Sequence, residues 1–237
     1  MREGSGSDKL PPGLYVVATP IGNLGDLSPR AENMLGRCDL LACEDTRVTG
    51  KLLERFAVSA KMLSYREENE RALANTLADK IAAGGAIALV SDAGTPTVSD
   101  PGFRVIRECR RRNLPVYPVP GPSAAIAALS ASGLPTNAFL FLGFPPPRSA
   151  ARKNLLRTWK EFAGTVIFYE SCHRIIPFVS EALEELGADR TVALGRELTK
   201  LHENWYVGQL AAVAENLAQG QARGEYVFLV APAGFFL

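Results

Sequence analysis

Residues 91–102 form a loop whose residue types suit close contact with a ligand. The preceding run at 86–90 is apolar throughout, and the loop combines two glycines and two prolines with Asp92 and Asp100. Small residues allow a backbone to approach another molecule closely, so the loop is a candidate binding segment. Tight turns favour the same residue types for steric reasons, and this loop alone is therefore weak evidence.

Two further loops of this kind follow predicted strands, at residues 19–26 and 120–124. In a parallel sheet, ligands bind beyond the carboxyl ends of the strands, so three such loops at one edge favour a shared binding site. None of the loops matches the G-x-G-x-x-G fingerprint, and the chain has no P-loop. A nucleotide-containing cofactor is still compatible with these loops, but not through the usual dinucleotide motif.

The elements that must position these loops alternate between strands and helices. Apolar runs predict strands at 14–18, 39–43, 61–64, 86–90 and 114–119. Ser28 before Pro29 predicts the start of a helix, and Asp100-Pro101 predicts another. Leu73, Leu77 and Ile81 recur at helical spacing. This alternation is typical of a parallel sheet with helices on both faces.

The second half predicts a second αβ domain with a mixed sheet. Its predicted strands are at 139–142, 165–170, 191–195, 205–208 and 225–230, and its helices are around 149–160, 174–186 and 210–218. The fold class is therefore α/β with two αβ domains. We expect a flexible tail at 1–13, an N-terminal domain at 14–134 and a C-terminal domain at 135–237, with a cofactor cleft between the domains.

Composition excludes several classes of protein. The four cysteines form no CxxC pair and have no nearby histidines, which argues against a disulfide framework or a zinc site. The N-terminus lacks the apolar core of a signal peptide, and no apolar run reaches membrane-spanning length. We therefore expect a cytoplasmic protein with no membrane partner. A net charge of +1 counts mildly against a nucleic-acid partner.

Seven segments occur in an order that resembles the ribosomal RNA small-subunit methyltransferase I family, of the tetrapyrrole-methylase-like fold. They are VATPIGNLGDLSPRA, CEDTRVTGKLL, LVSDAGTPTVSDPG, PVPGPSAAIAALSASGL, FLGFPPP, YESCHR and RELTKLHE. The match covers residues 14 to about 230. The resemblance implies a homodimeric methyltransferase that uses S-adenosylmethionine (SAM). It also implies a substrate, the ribose 2′-hydroxyl of a cytidine in 16S RNA of the small ribosomal subunit.

The same resemblance implies which residues contact SAM. The implied contacts are Pro20, Ile21, Gly22, Asp92, Gly94, Thr95, Pro96, Val98, Ser123, Ala124 and Tyr169. Backbone N–H groups at the helix start near Ser123 would suit the carboxylate of the cofactor. Tyr169 or its neighbours would close the adenine side.

Transfer to a ribose hydroxyl would benefit from a general base, since a hydroxyl is a poor nucleophile. The candidates are Glu44, Asp45 and Asp100, all placed at or after strand ends. Asp100 could instead cap the helix that Asp100-Pro101 is predicted to begin. Candidate substrate contacts are Arg47, His173, Arg174, Arg196 and Lys200. Arg47 could equally pair with Glu44 or Asp45, and RELTK could form an ion-pair network.

Two basic clusters are candidate RNA contacts. One comprises Arg104, Arg107, Arg110, Arg111 and Arg112, and the other Arg148, Arg152, Lys153, Arg157 and Lys160. The alternative is that both are solvated helix faces, which is the usual fate of such runs.

Two other functions remain open from the sequence. One is a methylase of the same fold that acts on a small molecule, such as a tetrapyrrole. The other is a non-catalytic ribosome-binding relative, against which the intact small-residue loops argue.

Overall fold

The computed structural model describes residues 9–220 and 222–237, which divide into two compact units at Ser123/Ala124. Of the predicted tail at 1–13, residues 1–8 lie outside the described part. Leu10 is only 5% exposed and packs in the core of the first unit. No helix of the described chain is both long and apolar enough to cross a membrane.

The first unit contains a parallel sheet of five strands in the order β3-β2-β4-β1-β5. The strands are β1 (Gly13–Val17), β2 (Leu40–Cys43), β3 (Met62–Ser64), β4 (Ala86–Val90) and β5 (Val116–Val119). The helices are α1 (Pro29–Arg37), α2 (Thr46–Arg55), α3 (Glu70–Ala82) and α4 (Phe103–Arg111), with a 3₁₀ turn at Leu24–Asp26. The predicted α/β sheet is confirmed.

Two apolar cores cover the two faces of this sheet. One contains Val17 and Leu41, and the other contains Leu14, Leu77 and Ile87. All five residues of β4 are buried, as expected of a strand covered on both sides. The central strands therefore hold the loops that follow them on a rigid base.

The two predicted helix starts fare differently. Helix α1 begins at Pro29, and the Ser28 hydroxyl accepts a hydrogen bond from the Ala31 N–H at 3.1 Å, as predicted. Helix α4 does not begin at Asp100-Pro101; it begins at Phe103 with Gly102 at the cap position. Gly102 has φ +135°, and a Cβ there would lie 2.8 Å from side-chain carbons of Leu89 and Thr97. The helix therefore starts two residues later than predicted, with a closely packed glycine at its cap.

The second unit contains a mixed sheet in the order β6-β7-β10-β8-β9, in which only β6 and β7 are parallel. The strands are β6 (Phe139–Phe141), β7 (Thr165–Ser171), β8 (Thr191–Arg196), β9 (Asn204–Gln209) and β10 (Glu225–Val230). The helices are α5 (Ala124–Ala131), α6 (Ser149–Trp159), α7 (Ile175–Leu186) and α8 (Leu210–Gln219). The predicted mixed sheet is confirmed.

Helix α5 packs on this second sheet. Its buried residues Ala125, Ala128 and Leu129 share a core with Ile167 and Leu229. The compact units therefore meet in sequence before α5, whereas the sequence analysis grouped this helix with the N-terminal domain. Its composition of small apolar residues fits either sheet, so only packing distinguishes the two assignments.

Candidate active site

Three loops of the first unit are joined at the carboxyl edge of its sheet. Thr19, after β1, and Gly94, after β4, exchange two backbone hydrogen bonds of 2.8 and 3.1 Å. The Thr95 hydroxyl donates a hydrogen bond of 2.9 Å to the carbonyl of Pro122, in the loop after β5. Because β4, β1 and β5 are neighbours in the sheet, these bonds bring the three glycine- and proline-rich segments to one place.

Close packing explains why these segments carry so little side-chain bulk. Gly94 has φ +81°, and a Cβ at this position would lie 3.3 Å from Ile21 Cγ2. A Cβ at Gly121 would lie 3.0 Å from the Cβ of Ala18. Pro20 and Pro96 are buried beside them, while Gly22 is exposed. The joined segments, called the cradle below, are therefore close-packed turns of small residues, and their contact with a cofactor stays a prediction.

The loop at 91–102 is held in an unfavourable backbone conformation. Thr97 and Ser99 have φ of 75° and 70°, values that side chains with a Cβ rarely adopt. The far end of the loop is anchored by Glu70 of α3, which is only 9% exposed. Its Oε2 accepts from the Gly102 N–H at 3.2 Å, and its Oε1 accepts from Arg104 Nε at 2.9 Å. Such strain persists only where the surroundings hold it, so Glu70 is a positioning residue for this loop.

Replacing Glu70 by alanine is expected to destabilise the protein by about 1–3 kcal/mol, because the buried Gly102 N–H loses its acceptor. Glu70→Gln, which retains an acceptor, should lose less stability than Glu70→Ala. Thermal unfolding measures the effect. Exposed Glu68 offers the matched control, Glu68→Ala. A Glu70→Ala protein with unchanged stability would show that other contacts hold the loop.

Four carboxylates lie at the same edge: Glu44, Asp45, Asp92 and Asp100. Asp92 is exposed, and its Oδ1 accepts from the Asp45 N–H at 3.0 Å, which links the loop after β2 to the loop after β4. Asp45 is also the cap of α2, where it accepts from the Arg47 N–H at 2.8 Å. This edge of the sheet is therefore acidic.

Asp45 is held in an ion pair with an exposed arginine. The Arg47 side chain, 83% exposed, forms an ion pair with Asp45, and hydrogen bonds from Arg47 hold the pKa of Asp45 well below its usual range. Asp45 therefore stays ionised and bound to Arg47, which makes it a poor proton acceptor. Of the two roles left open for Arg47, the structure has the one in which it pairs with Asp45.

Asp100, the third predicted candidate, lies in a different environment from Asp45. Burial raises its pKa to about 6; the charges of Glu44 and Asp92 act in the same direction, and the Ser91 hydroxyl acts against them. Burial also raises the pKa of Glu44. A carboxylate with a pKa near 6 binds a proton readily and is still mostly ionised at neutral pH. Asp100 does not cap α4, so the structural alternative for this residue is wrong.

The predicted site residues of the second unit lie in three separate settings. The half-buried Tyr169 accepts a hydrogen bond from the Ala125 N–H at 2.9 Å, next to Ala124 at the start of α5. Arg174 Nε donates to Glu170 Oε1 at 2.9 Å, whereas His173 beside it is exposed. Ser123, which precedes Ala124, belongs to the first unit and is half-buried.

Lys200 and Arg196 already have partners within the second unit. Lys200 forms ion pairs with Glu197 and Glu225, both at 2.8 Å, and Arg196 Nε donates to the carbonyl of Arg223. Of the two roles predicted for RELTK, the structure therefore contains the ion-pair network.

The two basic clusters are largely neutralised by acidic neighbours. In the second cluster, Arg152, Lys153 and Arg157 of α6 form ion pairs with α7; their partners are Glu181, Glu184 and Glu185. In the first, Arg104 pairs with Glu70, Arg111 with Glu108, and Arg112 with Glu108 and Asp79. These six side chains therefore have acidic partners within the protein, and their contact with RNA stays a prediction.

Sequence reasoning missed Glu70 and the exposed aromatic ring of Phe144. Glu70 lies in the acidic run 67–70, in which nothing distinguishes it from its exposed neighbours. Phe144 lies in the quoted segment FLGFPPP, where the proline run indicated stiffness but not exposure. The proline run could have drawn attention to Phe144, whereas no sequence pattern singles out Glu70.

The chain is similar to known methyltransferases over most of its length. The family model for tetrapyrrole (corrin/porphyrin) methylases matches residues 13–214. Two curated relatives are named ribosomal RNA small subunit methyltransferase I. The protein from Vibrio cholerae is 48% identical, with 92% of this chain and 77% of the relative covered, and the protein from Escherichia coli O157:H7 is 44% identical, with 97% and 81% covered.

Solved structures share the fold at low sequence identity. The cobalamin biosynthetic enzyme cobalt precorrin-4 methyltransferase is 16% identical with a TM-score of 0.65, covering 92% of this chain and 94% of its own. The methyltransferase CobJ is 19% identical with a TM-score of 0.67, covering 93% and 94%. These likenesses concern the fold alone.

Proposed function

We propose, from the premise that this chain belongs to the tetrapyrrole (corrin/porphyrin) methylase family, that it methylates ribosomal RNA of the small subunit. The chain is a methyltransferase. The observation that carries the RNA substrate is the 48% identity, over 92% of the chain, to a relative named for that activity. The finer proposal is that the acceptor is the ribose 2′-hydroxyl of a cytidine in 16S RNA. RNA of this kind is modified in the cytoplasm, where we expect the protein to act.

We propose that the cofactor is SAM and that the joined loops hold it. The first unit would contribute Pro20, Ile21, Gly22, Gly94, Thr95, Pro96, Val98 and Ser123. The members of this set that a ligand can reach are the exposed and half-buried ones, Ile21, Gly22, Thr95, Val98 and Ser123. When bound, SAM supplies an electrophilic methyl group on a positively charged sulfur. The acidic edge around Asp92 suits a cation of this kind.

Ala124 and Tyr169 of the second unit keep the role that the resemblance implies, which is contact with the adenosine part of SAM. Tyr169 is held by its bond to Ala125 and by close edge-to-face contact with Phe141. A fixed, half-buried ring of this kind is suited to packing against a purine.

Asp100 accepts the proton of the ribose hydroxyl at its carboxylate in the proposed reaction. Its partial burial and its carboxylate neighbours increase its basicity above that of an ordinary aspartate. Glu70 keeps the loop in the conformation that presents Asp100, and Asp45 stays paired with Arg47. Positioning of the hydroxyl supplies the rest of the rate enhancement.

Two alternatives differ in what they predict. A methylase that acts on a tetrapyrrole would share the fold with the solved relatives, but their identities of 16–19% carry no substrate assignment. A non-catalytic ribosome-binding protein would not need the cradle at Gly94.

We also propose that the protein works as a homodimer, which the resemblance implies and which sedimentation analysis would test.

The test is transfer of a radiolabelled methyl group from SAM to small ribosomal subunits that lack the modification. Label recovered as 2′-O-methylcytidine after nuclease digestion is the expected result. Saturable SAM binding without label in the RNA would overturn the RNA assignment and favour a small-molecule acceptor. Absence of SAM binding would favour the non-catalytic reading.

A further inference from the structure

Phe144 is an aromatic side chain that the second unit leaves exposed. Its side chain is 57% exposed, and its ring centroid lies 5.7 Å from that of Tyr169 at an interplanar angle of 65°. Tyr169 in turn contacts Phe141 edge to face, with the centroids 4.7 Å apart. The three rings form a cluster in which Phe144 is the outermost member.

The backbone that carries Phe144 is held on both sides. The Gly143 carbonyl accepts from the Tyr169 N–H at 3.0 Å. After Phe144, Arg174 Nη2 donates to the Pro145 carbonyl at 2.9 Å, and Arg152 Nη1 donates to the Pro147 carbonyl at 2.8 Å. The residues 145–147 are all proline, which restricts the backbone further.

Both arginines that hold this loop are fixed by buried carboxylates. Arg174 pairs with Glu170, whose side chain is fully buried, and Arg152 pairs with Glu181 through two bonds of 2.6 Å. Their charges are therefore already neutralised, and they act on the loop through its carbonyls. The exposed ring is therefore presented by a backbone that is held at Gly143, Pro145 and Pro147.

We propose that Phe144 stacks on an unpaired nucleobase of the RNA substrate, an inference that rests on the proposed function. Single-stranded bases bind proteins mainly by stacking on aromatic side chains. A ring held in place before binding loses little conformational freedom when a base stacks on it. Because the flanking arginines are paired, the contact adds affinity through stacking and not through attraction to phosphate.

The test compares Phe144→Ala, Phe144→Tyr and wild type. The probes are a fluorescein-labelled single-stranded RNA oligonucleotide for binding, unmodified small ribosomal subunits for methyl transfer, and SAM for cofactor binding. For Phe144→Ala we expect RNA affinity to fall about 5- to 100-fold with unchanged SAM affinity. The dependence of log K on log salt should keep its slope, because no phosphate contact is removed. Phe144→Tyr should restore most of the affinity.

Phe139→Ala is the matched control, since Phe139 is also exposed and lies at the opposite end of β6. Equal RNA affinity in Phe144→Ala and wild type would overturn the proposal. Weaker SAM binding in Phe144→Ala would also overturn it, because the ring would then serve the adenine of the cofactor. Wild-type protein that neither binds the oligonucleotide nor methylates subunits would refute the proposed function itself, a result distinct from a silent Phe144→Ala in an active enzyme.

Discussion

Asp100→Asn is expected to lower the rate of methyl transfer by about 10²- to 10⁴-fold while leaving SAM affinity nearly unchanged. Asparagine keeps the size of the side chain but cannot accept the proton of the ribose hydroxyl. Single-turnover methylation at saturating SAM measures the rate, and equilibrium titration measures the affinity. Asp45→Asn should lose much less, because Asp45 is held in its pair with Arg47.

The pH dependence follows from the same carboxylate. With the pKa of Asp100 at about 6, its basic form predominates above that pH. The rate of the wild-type enzyme should therefore fall as pH decreases through about 6. The residual rate of Asp100→Asn should not show this decrease. Exposed Asp26 provides the control, since Asp26→Asn should keep the wild-type profile. A full rate in Asp100→Asn would remove Asp100 from the mechanism.

Asp100→Asn should at the same time stabilise the fold at neutral pH. The pKa is higher in the folded state than the usual value near 3.9, so ionisation weakens the fold progressively as pH rises from about 4 to about 6. Asparagine carries no charge, so we expect a gain in stability at pH 7 that disappears below about pH 4. Thermal unfolding at both pH values measures this. A loss of rate joined to a gain of stability is the signature of a functional carboxylate, which a purely structural Asp100 would not give.

Local patterns predicted the elements of this fold well because they depend on nearby residues. The apolar run 86–90 is β4, and Ser28-Pro29 starts α1. Asp100-Pro101 carried the same kind of signal but failed, because packing of Gly102 against Leu89 and Thr97 decides where α4 begins. A contact between residues distant in sequence overrode a correct local preference.

The site was predictable to the same extent. Loops that follow neighbouring parallel strands must meet, so the sequence indicated the edge where Thr19 and Gly94 pair. Which carboxylate has a raised pKa depends on burial, and the anchor Glu70 acts on residues 32 positions away. The acidic partners of the basic cluster at 148–160 lie on another helix, so local sequence could not indicate these ion pairs.

Glu181→Ala is expected to destabilise the protein by about 3–5 kcal/mol. Arg152 and Glu181 are each 7% exposed and are joined by two short hydrogen bonds. Removing the carboxylate leaves a buried guanidinium without its counter-charge, and the cost of desolvating that charge is then no longer offset. Urea unfolding measured through m and the midpoint gives the free energy.

The exposed neighbour on the same helix provides the control. Glu184 is 58% exposed and pairs with Lys153, so Glu184→Ala should change stability by less than about 1 kcal/mol. Replacing both buried partners by methionine should recover much of the loss, since no charge is then left unpaired. If Glu181→Ala were as mild as Glu184→Ala, Arg152 would have found another partner or water. The pair between Arg152 and Glu181 would then not explain why α6 carries a buried arginine.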